Sequence, residues 1–188
     1  MNAKDIDTYK YKICVIGNGE VGKTSLIRKY TNKSFQEKYI KTIGAQFSIH
    51  EKRIADAQVR VIIWDIAGQD EFGFMRSMFY KGSRAAIIVY SLEMNDLGKK
   101  SFDNVKEWNA EILKFCGKIP TAIFANKVDI AYENVSDRPV LKDLIDNDRF
   151  FGYFVTSAKT GEGVENAFNA FIDQVFNELK DDLPKNSS

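Results

Sequence analysis

Two cysteines, three prolines and one histidine are all that these 188 residues contain of those types. Cys14 and Cys116 lie far apart with no partner motif. That excludes a disulfide framework and suits a reducing, cytosolic compartment. Charge of one sign is also missing: 27 basic against 26 acidic side chains leaves a net charge of +1. Such a balance offers no electrostatic reason to expect a nucleic-acid partner. Long hydrophobic runs are absent, since stretches such as Ala85–Tyr90 reach only about a third of a membrane span. Met1–Asp5 has no signal-peptide core. What is present is an ordinary globular composition with 44% hydrophobic residues. The length gives one domain, and a domain of this size buries about 70% of its unfolded surface without needing a disulfide or metal.

Short apolar runs and helical-period stretches alternate from Tyr9 to Leu179. Strand-length runs occur at Tyr11–Ile16, Val59–Ile66, Ala85–Ser91, Thr121–Ala125 and Phe151–Thr156. Each is nearly continuous in hydrophobicity, as in strands covered on both faces. Ala45–Ile54 alternates instead, with Phe47 and Ile49 apolar and Gln46, Ser48, His50 and Lys52 polar. It reads as an antiparallel edge strand, joined by Ala55–Gln58 in a hairpin to the Val59 strand. On its wet face His50 reads as an exposed side chain rather than a ligand or base. Cys14, inside an apolar run, reads as an inert core residue.

Val164, Phe168, Phe171, Ile172, Val175, Phe176 and Leu179 recur at helical spacing. A similar stripe from Phe102 to Cys116 follows Ser101, a candidate N-cap, and another begins after Asp137 and Pro139. Strands alternating with helices of this length predict an α/β fold: a six-stranded, mostly parallel sheet with one antiparallel edge strand and helices on both faces. Residues 9–179 form the domain, and 1–8 and 180–188 are expected as flexible tails.

Four motifs sit just beyond strand ends. Gly17-Asn18-Gly19-Glu20-Val21-Gly22-Lys23-Thr24 fits G-x-x-x-x-G-K-[ST] between a strand and a helix. Its glycines let backbone N–H groups point at phosphate oxygens, with the helix N-terminus behind them. Lys23 can reach the terminal phosphates, and the Thr24 hydroxyl can ligate Mg²⁺. Asp65-Ile66-Ala67-Gly68-Gln69 ends an apolar strand, at the sheet edge where α/β ligands bind. Asp65 there is a metal-holding carboxylate or, alternatively, a helix cap. Asn126-Lys127-Val128-Asp129 is either a base-reading site or a solvated turn. As a reader, its carboxylate would accept from guanine's ring N–H and amino group, a donor pair that adenine lacks. Ser157-Ala158-Lys159 supplies backbone N–H groups, Ala158 among them, for the base's carbonyl. Together, in this order, the four point to a nucleotide-binding domain.

These motifs resemble the G motifs of the Ras superfamily of small GTPases, over almost all of Tyr9 to Leu179. Trp64–Gln69, Thr42-Ile43-Gly44, Ser101–Val105 with Trp108, and Thr156–Gly161 are most similar to the Rab branch. The resemblance implies a P-loop G domain that binds GTP and GDP with Mg²⁺. It implies nucleotide contacts from Gly17, Gly19, Glu20, Val21, Gly22, Lys23, Thr24, Ser25 and Gly68, and from Asn126, Lys127, Asp129, Ser157, Ala158 and Lys159. Phe35 would pack on the guanine and Tyr39 would close over the phosphates. Thr42 would join Thr24 and Asp65 on the metal, and Gln69 would position the attacking water, making Gln69, Lys23 and Thr42 the catalytic set. Thr42 and Gly68 would sense the γ-phosphate, so that hydrolysis releases both switch loops. Effectors, exchange factors and GAPs would bind there. Phe47, Trp64 and Phe79 match an effector-facing aromatic trio, with core packing as the alternative.

The sequence departs from that pattern at Glu20, a carboxylate in the phosphate loop that should point outward, and at Ile66, where threonine is common. Residues 180–188 contain no cysteine and residue 2 is Asn, so no lipid anchor is expected in this chain. The expected protein is a monomeric switch in the cytoplasm, peripheral to membranes through partners. The rivals are a hydrolysis-deficient, nucleotide-stabilised binding module and a P-loop ATPase or small-molecule kinase.

Overall fold

Every continuous apolar run is a strand in the computed structural model, which describes residues 7–31, 37–40, 45–68, 73–131, 150–183 and 185–186, with backbone alone for 37–40, 73–75 and 185–186. In chain order the elements are β1 (Thr8–Ile16), α1 (Lys23–Thr31), β2 (Glu37–Ile40), β3 (Ala45–Ile54), β4 (Ala57–Ile66), α2 (Gly73–Tyr80) and β5 (Ser83–Ser91). They continue with α3 (Asp96–Asp103), α4 (Val105–Cys116), β6 (Thr121–Asn126), a 3₁₀ turn (Val128–Ile130), β7 (Gly152–Thr156), α5 (Val164–Leu179) and β8 (Lys185–Asn186). The helix expected after Pro139 lies outside the described residues.

The sheet runs β2-β3-β4-β1-β5-β6-β7. β1 pairs in parallel with both β4 and β5, β5 with β6, and β6 with β7, whereas β3 is antiparallel to β4. These are the six expected strands in the expected senses. Two short strands add to them. β2 pairs antiparallel with β3, so Ala45–Ile54 is not the edge. β8 pairs with the start of β1, and Leu183 just before it is buried in the core. The stretch expected as a flexible tail from residue 180 therefore carries two anchors, an apolar side chain and a strand pair.

Alternation along the strands divides the core in two. Ile13 and Val15 of β1, Val61 and Ile63 of β4, and Ile87 and Val89 of β5 face α1 and α5. Cys14, Ile16, Ile88 and Ile123 face the side of Tyr80, Val105, Trp108 and Ile112. Cys14 is fully buried, and burial pushes its thiol up to about 12. The helical stripe after Ser101 divides differently from expectation. α3 starts earlier, capped by Asn95, whose side chain accepts from Gly98 N–H, and α4 starts afresh at Val105. Ser101 is buried inside α3, where its hydroxyl donates to Gly98 O and accepts from Ser91 N–H. Among the described residues, no helix is long and apolar enough to cross a membrane.

His50 is not simply exposed. Its ring lies 4.5 Å from Tyr30, which stacks at 4.4 Å on Phe168, so β3, α1 and α5 meet through three rings. Its Nδ1 is buried without a hydrogen-bond partner. Burial, with Lys52 nearby, lowers its pKa. A lowered histidine pKa means the unfolded chain binds the proton first, so stability falls as pH drops below about 6.5. Urea titrations between pH 7.5 and 5.5 should show this loss, and His50→Phe should make the profile flatter over that window.

Candidate functional site

Parallel strands end together, so residues far apart in sequence collect along one carboxyl edge. β1 has β4 on one side and β5 on the other, and the loop leaving it enters the crevice between their connections. Gly17 takes φ +136°, and a Cβ there would lie 2.1 Å from Val89 O. Only glycine lets the phosphate loop lie this close to β5. Gly68, from the end of β4, approaches as closely: its Cβ would lie 1.9 Å from Gly17 O. The two expected phosphate-contacting loops are thus in direct contact.

Lys23 is buried, and its Nζ donates to Gly17 O at 2.8 Å and Asn18 O at 2.6 Å. Burial lowers its pKa to about 8, opposed by Asp65 and assisted by Arg76. A cation held this way favours an anionic ligand, which would stabilise its charge. The Thr24 hydroxyl donates to Asp65 Oδ2. Burial raises the Asp65 pKa, countered by that hydrogen bond and by Lys23. A hydroxyl and a carboxylate converging beside a phosphate loop are hard oxygen donors of the kind Mg²⁺ takes, so these residues fit the ion. Val21 is fully buried, so its side chain packs in the core and only its backbone is available to a ligand. Ser25 is exposed on α1. Glu20 is exposed, as expected, and holds φ +62°, a conformation that favours glycine.

The base-reading candidates form one hydrogen-bonded group. Asn126 Nδ2 donates to Val21 O at 2.8 Å, while its Oδ1 accepts from Ala158 N–H at 3.0 Å and Thr156 Oγ1 at 3.4 Å. Asn126 is therefore a brace between the phosphate loop and the loop after β7. The Ala158 N–H, expected to meet a base carbonyl, here donates to the buried amide oxygen. Ser157 Oγ donates to Asp129 Oδ1 at 2.6 Å, and Lys159 Nζ lies 3.8 Å from Asp129 Oδ2. Lys127 takes φ +73°, and its Nζ pairs with Glu93 Oε2 at 2.5 Å. That hydrogen bond holds the Glu93 carboxyl below its ordinary range.

Glu93 was not singled out by motif reasoning. Its only signal is an acidic residue two positions past the carboxyl end of β5, on the sheet edge where Asp65 is the last residue but one of β4. Phe35, Thr42 and Gln69 lie outside the described residues. Tyr39 is placed by its backbone alone, opposite Gln46.

Phe47, Trp64 and Phe79 form a continuous aromatic array, with ring centroids 5.3 Å and 5.7 Å apart. All three are partly buried, between the core and surface alternatives. Lys12 Nζ lies 4.4 Å above the Trp64 ring and donates to Phe79 O at 2.5 Å and Lys81 O at 3.1 Å. A cation therefore caps the carbonyl end of α2. Met78 beside it is exposed.

The model of the Ras family matches residues 12–177. The chain is similar to the Ras-related protein Rab7 of Cenchrus ciliaris, with 35% identity over 181 residues, 92% of this chain and 85% of that protein. It is also similar to the Ras-related protein Rab-1A of Dictyostelium discoideum, with 31% identity over 177 residues, 94% of this chain and 85% of that protein. DnaJ homolog subfamily C member 27 of Danio rerio is 34% identical over 172 residues, 88% of this chain. The matched stretch spans 61% of the length of that relative. With the family matched from β1 to α5 and the phosphate loop, Asp65 and the Asn126 group assembled on one edge, the chain belongs to the Ras family, near its Rab branch.

Proposed function

We propose that the protein is a guanine-nucleotide switch that binds GTP and GDP with Mg²⁺, hydrolyses GTP slowly to GDP and phosphate, and recruits effectors through its switch loops. The observation that supports this best is the Asn126 brace beside the Asp129–Ser157 pair. It ties the phosphate loop to an oriented carboxylate, so one ligand can be gripped at both ends. That carboxylate accepts from the ring N–H and amino group of guanine, and adenine would leave it unpaired. Acid release and chromatography of the purified protein should yield GDP or GTP. Adenine nucleotide there would overturn the reading.

Lys23 would exchange the Gly17 and Asn18 carbonyls for phosphate oxygens, which sets its charge at the site of developing negative charge. Thr24 and Asp65, joined by Thr42, would hold Mg²⁺, which when bound neutralises phosphate charge. Gln69 orients the attacking water. No arginine occurs between Phe35 and Thr42. Arg76 on α2 is held by Glu111, with Nε 3.0 Å from Oε1. Gly19 leaves open space, since a Cβ there would meet nothing within 4 Å. An arginine supplied by a GAP can enter without a clash. The Phe47, Trp64 and Phe79 array, with Met78, is the surface we assign to effectors. Action at membranes would come through such partners.

Three outcomes check this reading. Asp129→Asn should lower selectivity for guanine over xanthine by orders of magnitude in competition binding, because xanthine's 2-carbonyl accepts from the new amide. Glu20→Gly should relieve the left-handed strain, about 1 kcal/mol. It should raise the urea midpoint and, by removing a carboxylate from the loop, slow GDP release. In a single-turnover assay with GTP and Mg²⁺, the wild-type rate should be on the order of 10⁻⁴ s⁻¹, the range without an arginine finger. Gln69→Leu should abolish most of that turnover with binding nearly intact. A wild-type rate near 1 s⁻¹, or an unchanged rate in Gln69→Leu, would contradict the mechanism.

A further inference from the structure

The phosphate loop and α2 lean on one side chain of α4. Trp108 is 7% exposed, and its edge and its face have different partners. The indole N–H donates to Asn18 Oδ1 at 2.8 Å, and Asn104 Nδ2 reaches the same oxygen at 3.4 Å. The Arg76 guanidinium lies 5.0 Å from the ring centroid. Arg76 is fixed there by two contacts to Glu111, Nε to Oε1 at 3.0 Å and Nη2 to Oε2 at 3.4 Å. Tyr80, also on α2, donates to the same Glu111 Oε1 at 3.1 Å. Trp108 and Glu111 are three residues apart on α4, so they share one face of the helix. On the other side, Asn18 O accepts from Lys23 Nζ at 2.6 Å. A continuous line of contacts thus runs from α2 through Trp108 and Asn18 to the phosphate-binding lysine.

We propose that Trp108 is a positioning residue through which the placement of α2 sets how firmly the phosphate loop holds nucleotide, an inference that rests on the nucleotide-binding reading above. With α2 seated, Arg76 and Glu111 fix the indole ring, and the ring fixes Asn18. When α2 shifts, the guanidinium leaves the ring face, the N–H loses its aim, and the loop carrying Asn18 loosens around the phosphates. Exchange of nucleotide and movement of α2 are then two ends of one equilibrium, and whatever displaces α2 speeds release. A buried indole N–H needs some acceptor. Here the acceptor belongs to the loop that binds the ligand, which is what couples packing to affinity.

The test measures release of a fluorescent GDP analogue from the full chain, chased with excess GDP. Asn18→Ala and Trp108→Phe should each speed release about fivefold, the equivalent of one ordinary hydrogen bond. The double variant should be no faster than either alone. Arg76→Lys keeps the charge that Lys23 senses but loses the paired contacts to Glu111. It should speed release in the wild-type background and have no further effect on Asn18→Ala, because its influence then passes through that contact. In a Trp64→Phe background Trp108 is the only tryptophan. Its emission should change when GDP is replaced by a non-hydrolysable GTP analogue, and Arg76→Gln should remove the change. Additive effects of Arg76→Lys and Asn18→Ala would overturn the coupling, as would single variants within twofold of wild type. Should Trp108→Phe fail to fold, the cycle between Arg76 and Asn18 decides alone. A wild-type protein that takes up no guanine nucleotide would instead overturn the proposed function, and the coupling with it.

Discussion

Asn126 is 1% exposed, and an amide buried that deeply destabilises the fold unless both of its ends find partners. Leaving either end open costs about 1–3 kcal/mol. Its donor goes to Val21 in the phosphate loop, and its acceptor to Ala158 after β7. The two loops are therefore held together by the requirement that a buried polar group be satisfied. The spacing between the phosphate loop and the loop after β7 follows from that requirement. Asp129, three residues on, inherits its place from the same strand end and is aimed by Ser157. The strand register supports the arrangement, since Ser91, Asn126 and Thr156 are successive partners across β5, β6 and β7.

Electrostatics at the other end of the site has the same logic with the sign of the cost reversed. Lys23 is a buried cation whose only close oxygen partners among the described residues, besides the Asp65 field, are two backbone carbonyls. Burial strips the ammonium of water and carbonyl dipoles replace it only in part, so its pKa falls. The fold thus retains an unsatisfied preference for anionic oxygen at the point where a phosphate would arrive. Glu93 and Lys127 show the opposite case, a pair already matched and serving to fix a loop.

Much of this was legible in sequence because it depends on local pattern. The five continuous apolar runs became β1, β4, β5, β6 and β7 with starts within three residues and ends within one, since burial on both faces leaves no other composition. The motif residues were readable because each motif is consecutive and sits at a strand end. What escaped was set by partners distant in sequence. β2 exists as a pair with β3, and Glu37–Ile40 carries no apolar pattern of its own. The start of α3 depended on Asn95, outside the stripe that drew attention to Ser101. His50 looked solvated by alternation, yet α1 and α5 cover that face through Tyr30 and Phe168. Trp108 carries a family resemblance in sequence, while its contacts with Asn18, 90 residues away, and with Arg76 emerge only when helices pack.

The two faces of the sheet consequently have different work. On one, α1 and α5 pack against β1, β4 and β5 through Leu26, Phe168, Phe171 and Val175, all fully buried. Close packing of that kind resists displacement. On the other, α2 adds polar and cationic contacts to its buried Tyr80 ring: Lys12 on its final carbonyls, and Glu111 on Arg76 and Tyr80. Contacts of that type are directional, and each can be exchanged for water or for a partner at modest cost. The element bearing Phe79 and Met78 is thus fastened in part by contacts that can be exchanged. A switch needs such an asymmetry, with one face fixing the ligand site and the other free to be repositioned by what the site contains.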